Sequence, residues 1–194
     1  MSGTQGTPAY DPRVVPEAPL NKMEHGLVAG EGWFVLNARD ARWRRAEGRG
    51  AVLSFDGWPD GYFPQYGVAL YTLARGESMG MYHWEADQED FFVLSGEALL
   101  LVEGEERPLR QWDIVHCPPG TNHIILGAGD EPCMILAIGA RSHQDTDGWG
   151  AYTVDELALR HGTGVEEETI DTERAYADIP DRKPAPFREE WLPS

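Results

Sequence analysis

Basic residues are scarce in this sequence: 16 lysines and arginines stand against 33 acidic residues, a formal net charge of -17 over 194 residues. Such a surface repels phosphate backbones and anionic lipid, so neither nucleic acid nor a membrane surface is an expected partner. Long hydrophobic runs are also missing. The longest, such as Ala98-Leu-Leu-Leu-Val102, fall far short of a membrane span. The opening Met1-Ser-Gly-Thr-Gln-Gly has neither a basic start nor an apolar stretch, so no signal peptide is expected and the location reads as cytoplasmic. Cysteine occurs only at positions 117 and 133, outside any CxxC pair. That excludes a disulfide framework and leaves Cys117 and Cys133 as buried free thiols. No internal repeat occurs, which excludes a solenoid or a duplicated barrel. What is present, a hydrophobic fraction of 41% and an aromatic fraction of 10%, is enough for one ordinary core.

The chain divides into three parts by composition. Residues 1–28, with Pro8, Pro12, Pro16 and Pro19, read as an extended or disordered arm. Residues 29–145 read as a β-barrel with N-terminal strands, beginning with Trp33–Leu36 and Ala51–Phe55. From Gly67 onward, seven short apolar segments follow one another, separated by Arg75-Gly76, Ser95-Gly96, Glu103-Gly104, Pro118-Pro-Gly120 and Gly127–Asp130. Short strands at such spacing, with turn residues between them and no helical periodicity, predict an antiparallel sandwich or barrel. Phe91–Leu94 and Ala98–Val102 are apolar at nearly every position, so both faces need cover: the barrel interior on one side, the arm or a second subunit on the other. A homodimer is the expectation. Residues 146–194 read as a tail with short helices. Thr153 and Glu156 are spaced as a capping box before a helix to about His161, and a second helix is expected over Asp171–Ala177.

The chemistry concentrates in His83-Trp84-Glu85-Ala-Asp-Gln-Glu89. Alternate residues of a strand share a face, so His83 and Glu85 point together. The three residues before Glu89 suffice for a bend that turns its carboxylate back toward them. His123 follows the rigid turn Pro118-Pro-Gly-Thr-Asn122, which sets it at the mouth of another strand. Two imidazoles with one or two carboxylates suit a divalent Zn, Mn, Fe or Ni ion, one per subunit. Met79 and Met81 share parity with His83, Phe91 and Val93 with Glu89, and Cys117 with Val115. His116 should face outward. Tyr62, Phe63 and Tyr66 are candidates for a lid or a dimer contact.

These residues resemble the two motifs of the cupin family. In the first motif, His83, Glu89 and the closing Gly96 stand in register; in the second, Pro118, Gly120 and His123 do, and the match spans roughly residues 70–140. The resemblance implies an all-β fold, the double-stranded β-helix or jelly-roll barrel, with the short helices confined to the C-terminal tail. It also implies a metal held by His83, Glu85, Glu89 and His123. Four positions depart from the pattern. Gly76 lies one residue too far from His83, Glu85 replaces a histidine, Trp112 replaces a glycine, and Gly127 replaces an asparagine. Only Glu85 changes the chemistry, exchanging a neutral nitrogen donor for an anionic oxygen that favours harder metals.

The expected function is that of a metal-binding cupin. One reading is a metalloenzyme acting on a small organic molecule, of the dioxygenase, isomerase or decarboxylase type, with Glu85 as ligand or general base. One alternative is a non-catalytic cupin that binds a small molecule or a metal. Another is a non-haem iron oxygenase using His83, Glu85 and His123 as a facial triad, although no basic residue follows His123 until Arg141.

Overall fold

The computed structural model describes residues 15–56, 63–144 and 146–192. Pro8, Pro12 and Tyr62, each given a place above, lie outside the described residues. The elements run β1 (Leu20–Met23), β2 (Gly26–Ala29), β3 (Arg44–Arg45), β4 (Ala51–Ser54), β5 (Tyr66–Leu73), β6 (His83–Glu85) and β7 (Glu89–Ser95). They continue through β8 (Glu97–Val102), β9 (Glu105–Arg110), β10 (Ile114–Cys117), β11 (His123–Gly127), β12 (Cys133–Ala140) and β13 (Gly150–Tyr152). The helices α1 (Glu156–Arg160) and α2 (Thr172–Ala175), the strand β14 (Lys183–Pro184) and a 3-10 turn over Glu189–Trp191 complete the chain.

Two antiparallel sheets face each other. One has the order β10-β7-β12-β5-β4-β3-β14 and the other β13-β6-β11-β8-β9. From β5 to β8 the chain crosses to the opposite sheet at each step, and it does so again from β9 to β12, which is the jelly-roll path of a double-stranded β-helix. The fold is all-β with two short helices. Inward residues of both sheets, among them Leu73, Phe91, Val93, Cys117, Ile125 and Ile135, fill the space between them. Cys117 and Cys133 are buried and free. Among the described residues, no helix is long and apolar enough to cross a membrane.

The second apolar face of β7 and β12 is covered from within the chain. Leu94, Met134 and Leu136 pack with Trp43 from the N-terminal side and with Phe187 and Trp191 from the C-terminal side. Trp43 is fully buried, donates its indole N–H to the Ala38 carbonyl at 2.8 Å, and lies 5.3 Å from the Trp191 ring. The expectation of a second subunit rested on this face and on the outer face of β8, which lies in the other sheet. What stays open at the edge beside β7 is Trp112 and Ile114, 65% and 73% exposed.

Several elements differ from the sequence reading. A β1–β2 hairpin stands inside the segment read as an arm, its turn made by His25 and Gly26 at positive φ. Trp33–Leu36 forms no strand; Trp33 makes only an isolated bridge with Glu17. β9 was missed because Glu105-Glu-Arg-Pro-Leu-Arg110 is polar and contains proline, both tolerated on the edge strand it forms. The helix cap is Asp155, which accepts from the Ala158 N–H, whereas the Thr153 hydroxyl donates to Asn122 Oδ1 at 2.7 Å. At the second helix, Asp171 is the cap.

The departures from the family pattern have local reasons. Trp112 adopts φ +76°, the left-handed conformation for which a glycine would be unstrained. At Gly127, a Cβ would lie 2.2 Å from the Ala74 carbonyl oxygen, so asparagine has no room there. Gly127→Ala is expected to lower the unfolding free energy by about 2 kcal/mol, as overpacking against backbone does. The midpoint of a urea denaturation curve checks this; an unchanged midpoint would refute so close an approach.

Candidate metal centre

β6 and β11 are neighbours in the five-stranded sheet, with His83 paired directly to His123. Glu89 opens β7 in the facing sheet, where it pairs with Cys117 of β10 and Gly139 of β12. The two histidines therefore come from one sheet and the carboxylate from the other. The Pro118–Thr121 turn is docked on β6 by the Gly120 N–H, which donates to the Glu85 carbonyl at 2.8 Å. That contact sets His123 relative to His83.

Both imidazoles are held by one nitrogen. Nδ1 of His83 lies 2.7 Å from the Met81 carbonyl, and Nδ1 of His123 lies 2.9 Å from the Thr121 carbonyl. A carbonyl only accepts, so each Nδ1 carries the proton and each Nε2 is turned inward. Nε2 of His123 lies 3.2 Å from Glu89 Oε2, and Nε2 of His83 lies 3.9 Å from the same oxygen. All three donor atoms fall within 4.8 Å of one another. Ligands bound at about 2.0–2.2 Å stand roughly 3.0–3.4 Å apart around a divalent ion, so small side-chain adjustments suffice. Oε2 of Glu89 is buried and, besides nearing His83, forms an ion pair with His123 Nε2. A buried anionic oxygen is costly without a cation beside it, a role that a protonated His123 or a metal ion in its place fills. The donor set thus fits a divalent metal.

Electrostatics agree with this geometry. Burial alone would raise the Glu89 carboxyl, but contact with His123 and the charges of His123 and His83 outweigh it and hold the pKa below the usual value. Burial would also lower His123; the Cys117 thiol and the Glu89 carboxylate against it instead push its pKa up to about 10.

Glu85 stands apart from the other three. Its Oε1 is 3.5 Å from His83 Nε2 and its side chain is 28% exposed, against 15% for Glu89. It lies outside the tight His83, Glu89 and His123 group. It still lines the adjoining cavity of about 230 Å³. Phe91 and Met79 line that cavity too, whereas Met81 packs outside the barrel with Tyr152, Val165 and Ala175. The irregular backbone just before His83 breaks the alternation on which the Met81 reading relied. His116 is exposed and pairs with Asp90 at 2.6 Å.

Other cavity residues carried no readable signal. The cavity is also lined by Arg49, Tyr71, Trp149, Tyr152, Tyr176 and Arg182. β13 pairs with β6 and sets Tyr152 opposite His83, with ring centroids 5.8 Å apart. Gly150 permits this closure, because a Cβ there would lie 2.1 Å from the Trp84 carbonyl oxygen. The only hint in the sequence was a glycine between two aromatics, Trp149 and Tyr152.

Residues 69–139 match the family model of the cupin domain. A stretch of 62 residues is 31% identical to an uncharacterized protein of Methanocaldococcus jannaschii, covering 31% of this chain. The chain spans 50% of the length of that curated relative. Among solved structures, it is similar to a putative sugar phosphate isomerase from Acidithiobacillus ferrooxidans, at 23% identity over 55% of this chain and 74% of that one, with a TM-score of 0.47. It is also similar to a cupin 2 conserved barrel domain protein from Salinispora arenicola, at 24% identity over 57% of this chain and 89% of that one, with a TM-score of 0.46. The match falls on the core of the barrel, from within β5 to within β12, where the sequence resembles a cupin domain. Arg49, Trp149, Tyr152, Tyr176 and Arg182 all lie outside the matched segment.

Proposed function

We propose that this protein is a metal-binding cupin that holds one divalent ion at His83, Glu89 and His123 and receives a small organic molecule in the cavity beside it. The observation that carries this reading is the convergence of the buried Glu89 Oε2 with two imidazole Nε2 atoms whose Nδ1 atoms are already engaged. Two nitrogens and one oxygen suit Zn, Mn, Fe or Ni, and such an ion supplies Lewis acidity toward a bound oxygen. The chain's own residues bind and shield the ligand: Phe91 and Tyr152 wall the site, and Glu85 at its rim is placed to accept or return a proton. Glu85 can also serve as a fourth ligand, because its carboxylate already faces His83. Protein purified without chelators is expected to carry about one equivalent of metal by elemental analysis, and its absence would overturn the reading.

A second reading has its own support. The tight group is two histidines and one carboxylate, the donor set of non-haem iron oxygenases, although the carboxylate in it is Glu89 rather than Glu85. Oxygen consumption by the iron-loaded protein with candidate substrates separates this reading from a non-redox role or from simple binding.

A further inference from the structure

The cavity beside the candidate metal centre carries two cations. Arg49 lies in the turn between β3 and β4, and Arg182 immediately precedes β14; both line the cavity that also holds His83, Glu89 and His123. Among the described residues, no carboxylate lies within ion-pair distance of either guanidinium, in a chain with 33 acidic residues. Nε of each arginine is buried without a hydrogen-bond partner. Their contacts instead hold the two side chains in place. Arg182 Nη2 donates to the carbonyls of Arg49 at 2.6 Å, Met79 at 2.9 Å and Ser78 at 3.3 Å, and its guanidinium lies 5.4 Å from the Tyr71 ring centre. The Arg49 guanidinium lies 4.4 Å from the ring centre of Tyr176, whose hydroxyl accepts from the Met81 N–H.

We propose that this cavity binds a small organic anion, its carboxylate or phosphate held by Arg49 and Arg182 and the rest of the molecule reaching toward His83, Glu89 and His123. Paired guanidiniums are the side chains best matched to such oxygens, since each offers several donors in a planar fork. Two adjacent, half-buried cations without a counterion are unfavourable, and an entering anion relieves both. Burial, reinforced by Arg49 and Arg44, already lowers the Arg182 pKa to about 10. Tyr71, whose ring centre lies 5.4 Å from the Arg182 guanidinium, lines the same cavity as Glu89. A volume of about 230 Å³ equals about seven or eight water molecules, which limits the ligand to a small metabolite-sized acid. Neither arginine belongs to the matched cupin segment, so this specificity comes from the flanking segments of this chain. For its far end the proposal rests on the metal reading; the anion subsite itself rests on the arginines.

The full-length protein, both metal-stripped and metal-reloaded, would be titrated calorimetrically with succinate, inorganic phosphate and the neutral succinamide. Succinate or phosphate is expected to bind the stripped protein and succinamide is not; which anion binds distinguishes a carboxylate from a phosphate site. Arg49→Gln and Arg182→Gln should each weaken that binding about tenfold or more, the share of a charge-assisted hydrogen bond. Arg182→Gln removes three carbonyl contacts and risks misfolding, whereas the Arg49 side chain makes no hydrogen bond among the described residues, so Arg49→Gln keeps the test decisive. Binding by neither anion overturns the proposal. So does binding that survives Arg49→Gln, because Arg182 also borders a second cavity with Arg42, Arg44 and Arg141. Anion binding in a protein that never retains metal would sustain the subsite and remove the metal centre; stoichiometric metal without anion binding would do the reverse.

Discussion

Replacing Glu89 by glutamine is expected to weaken metal binding by at least about a hundredfold, leaving the purified variant nearly metal-free. Changes in residues that merely orient ligands cost about 10–100-fold in affinity, so loss of a direct anionic ligand should cost more. Glutamine keeps the shape of the side chain at the start of β7, where the pairing with Cys117 and Gly139 involves only the backbone. The fold should therefore survive, and the stripped variant and stripped wild type should melt close together. Their response to added metal separates them. A ligand at a hundred times its Kd stabilises the native state by about 2.7 kcal/mol, a gain the wild type shows and the variant lacks. Glu85→Gln provides the contrast: its carboxylate is more exposed and approaches only His83, so about tenfold weakening is expected. If Glu85→Gln empties the site and Glu89→Gln does not, the ligand set is the other one.

The barrel and three of its chemical groups were legible because each leaves a local trace. β5, β7, β8 and β10 to β12 are short apolar strands bounded by turn residues, and His83, Glu89 and His123 sit at fixed offsets from glycines and prolines that the backbone needs. Gly96, for instance, has φ +75° and leaves no room for a Cβ beside Cys133. Glu85 showed the limit of strand parity. It shares a face with His83, yet the bend before Glu89 brings only the latter across to His123. The cationic wall was not legible at all. Arg49 and Arg182 are 133 positions apart, and they meet because β14 pairs with β3 beside the β3–β4 turn. Two-residue strands carry no periodicity, so nothing in Lys183-Pro184 announces that pairing. The covering layer hid for a related reason. Trp43 and Trp191 stand far apart in the sequence, in stretches without readable periodicity, and only their contact shows them closing the outer face of the sheet.

Metal binding at neutral pH is expected to release about one proton per ion, and the apparent affinity should rise about tenfold per pH unit between pH 6 and 8. The cause lies in His123. Its Nδ1 proton is committed to the Thr121 carbonyl, and its Nε2 faces Glu89. With the pKa pushed up to about 10 by Cys117 and Glu89 against the opposing effect of burial, the imidazole is cationic throughout that range. A metal takes the unprotonated Nε2, so it must displace that proton, and raising the pH favours it by mass action. Glu89 adds no proton of its own, since its lowered pKa keeps it ionised near neutrality. The sign follows from these two directions: protonation of His123 opposes the metal, so acidification expels it. Calorimetric titrations in buffers of different ionisation enthalpy count the protons, and competition with a chelator at several pH values gives the slope. A slope near zero would mean that His123 is already neutral, and hence that its contact with Glu89 is not the charge pair described here.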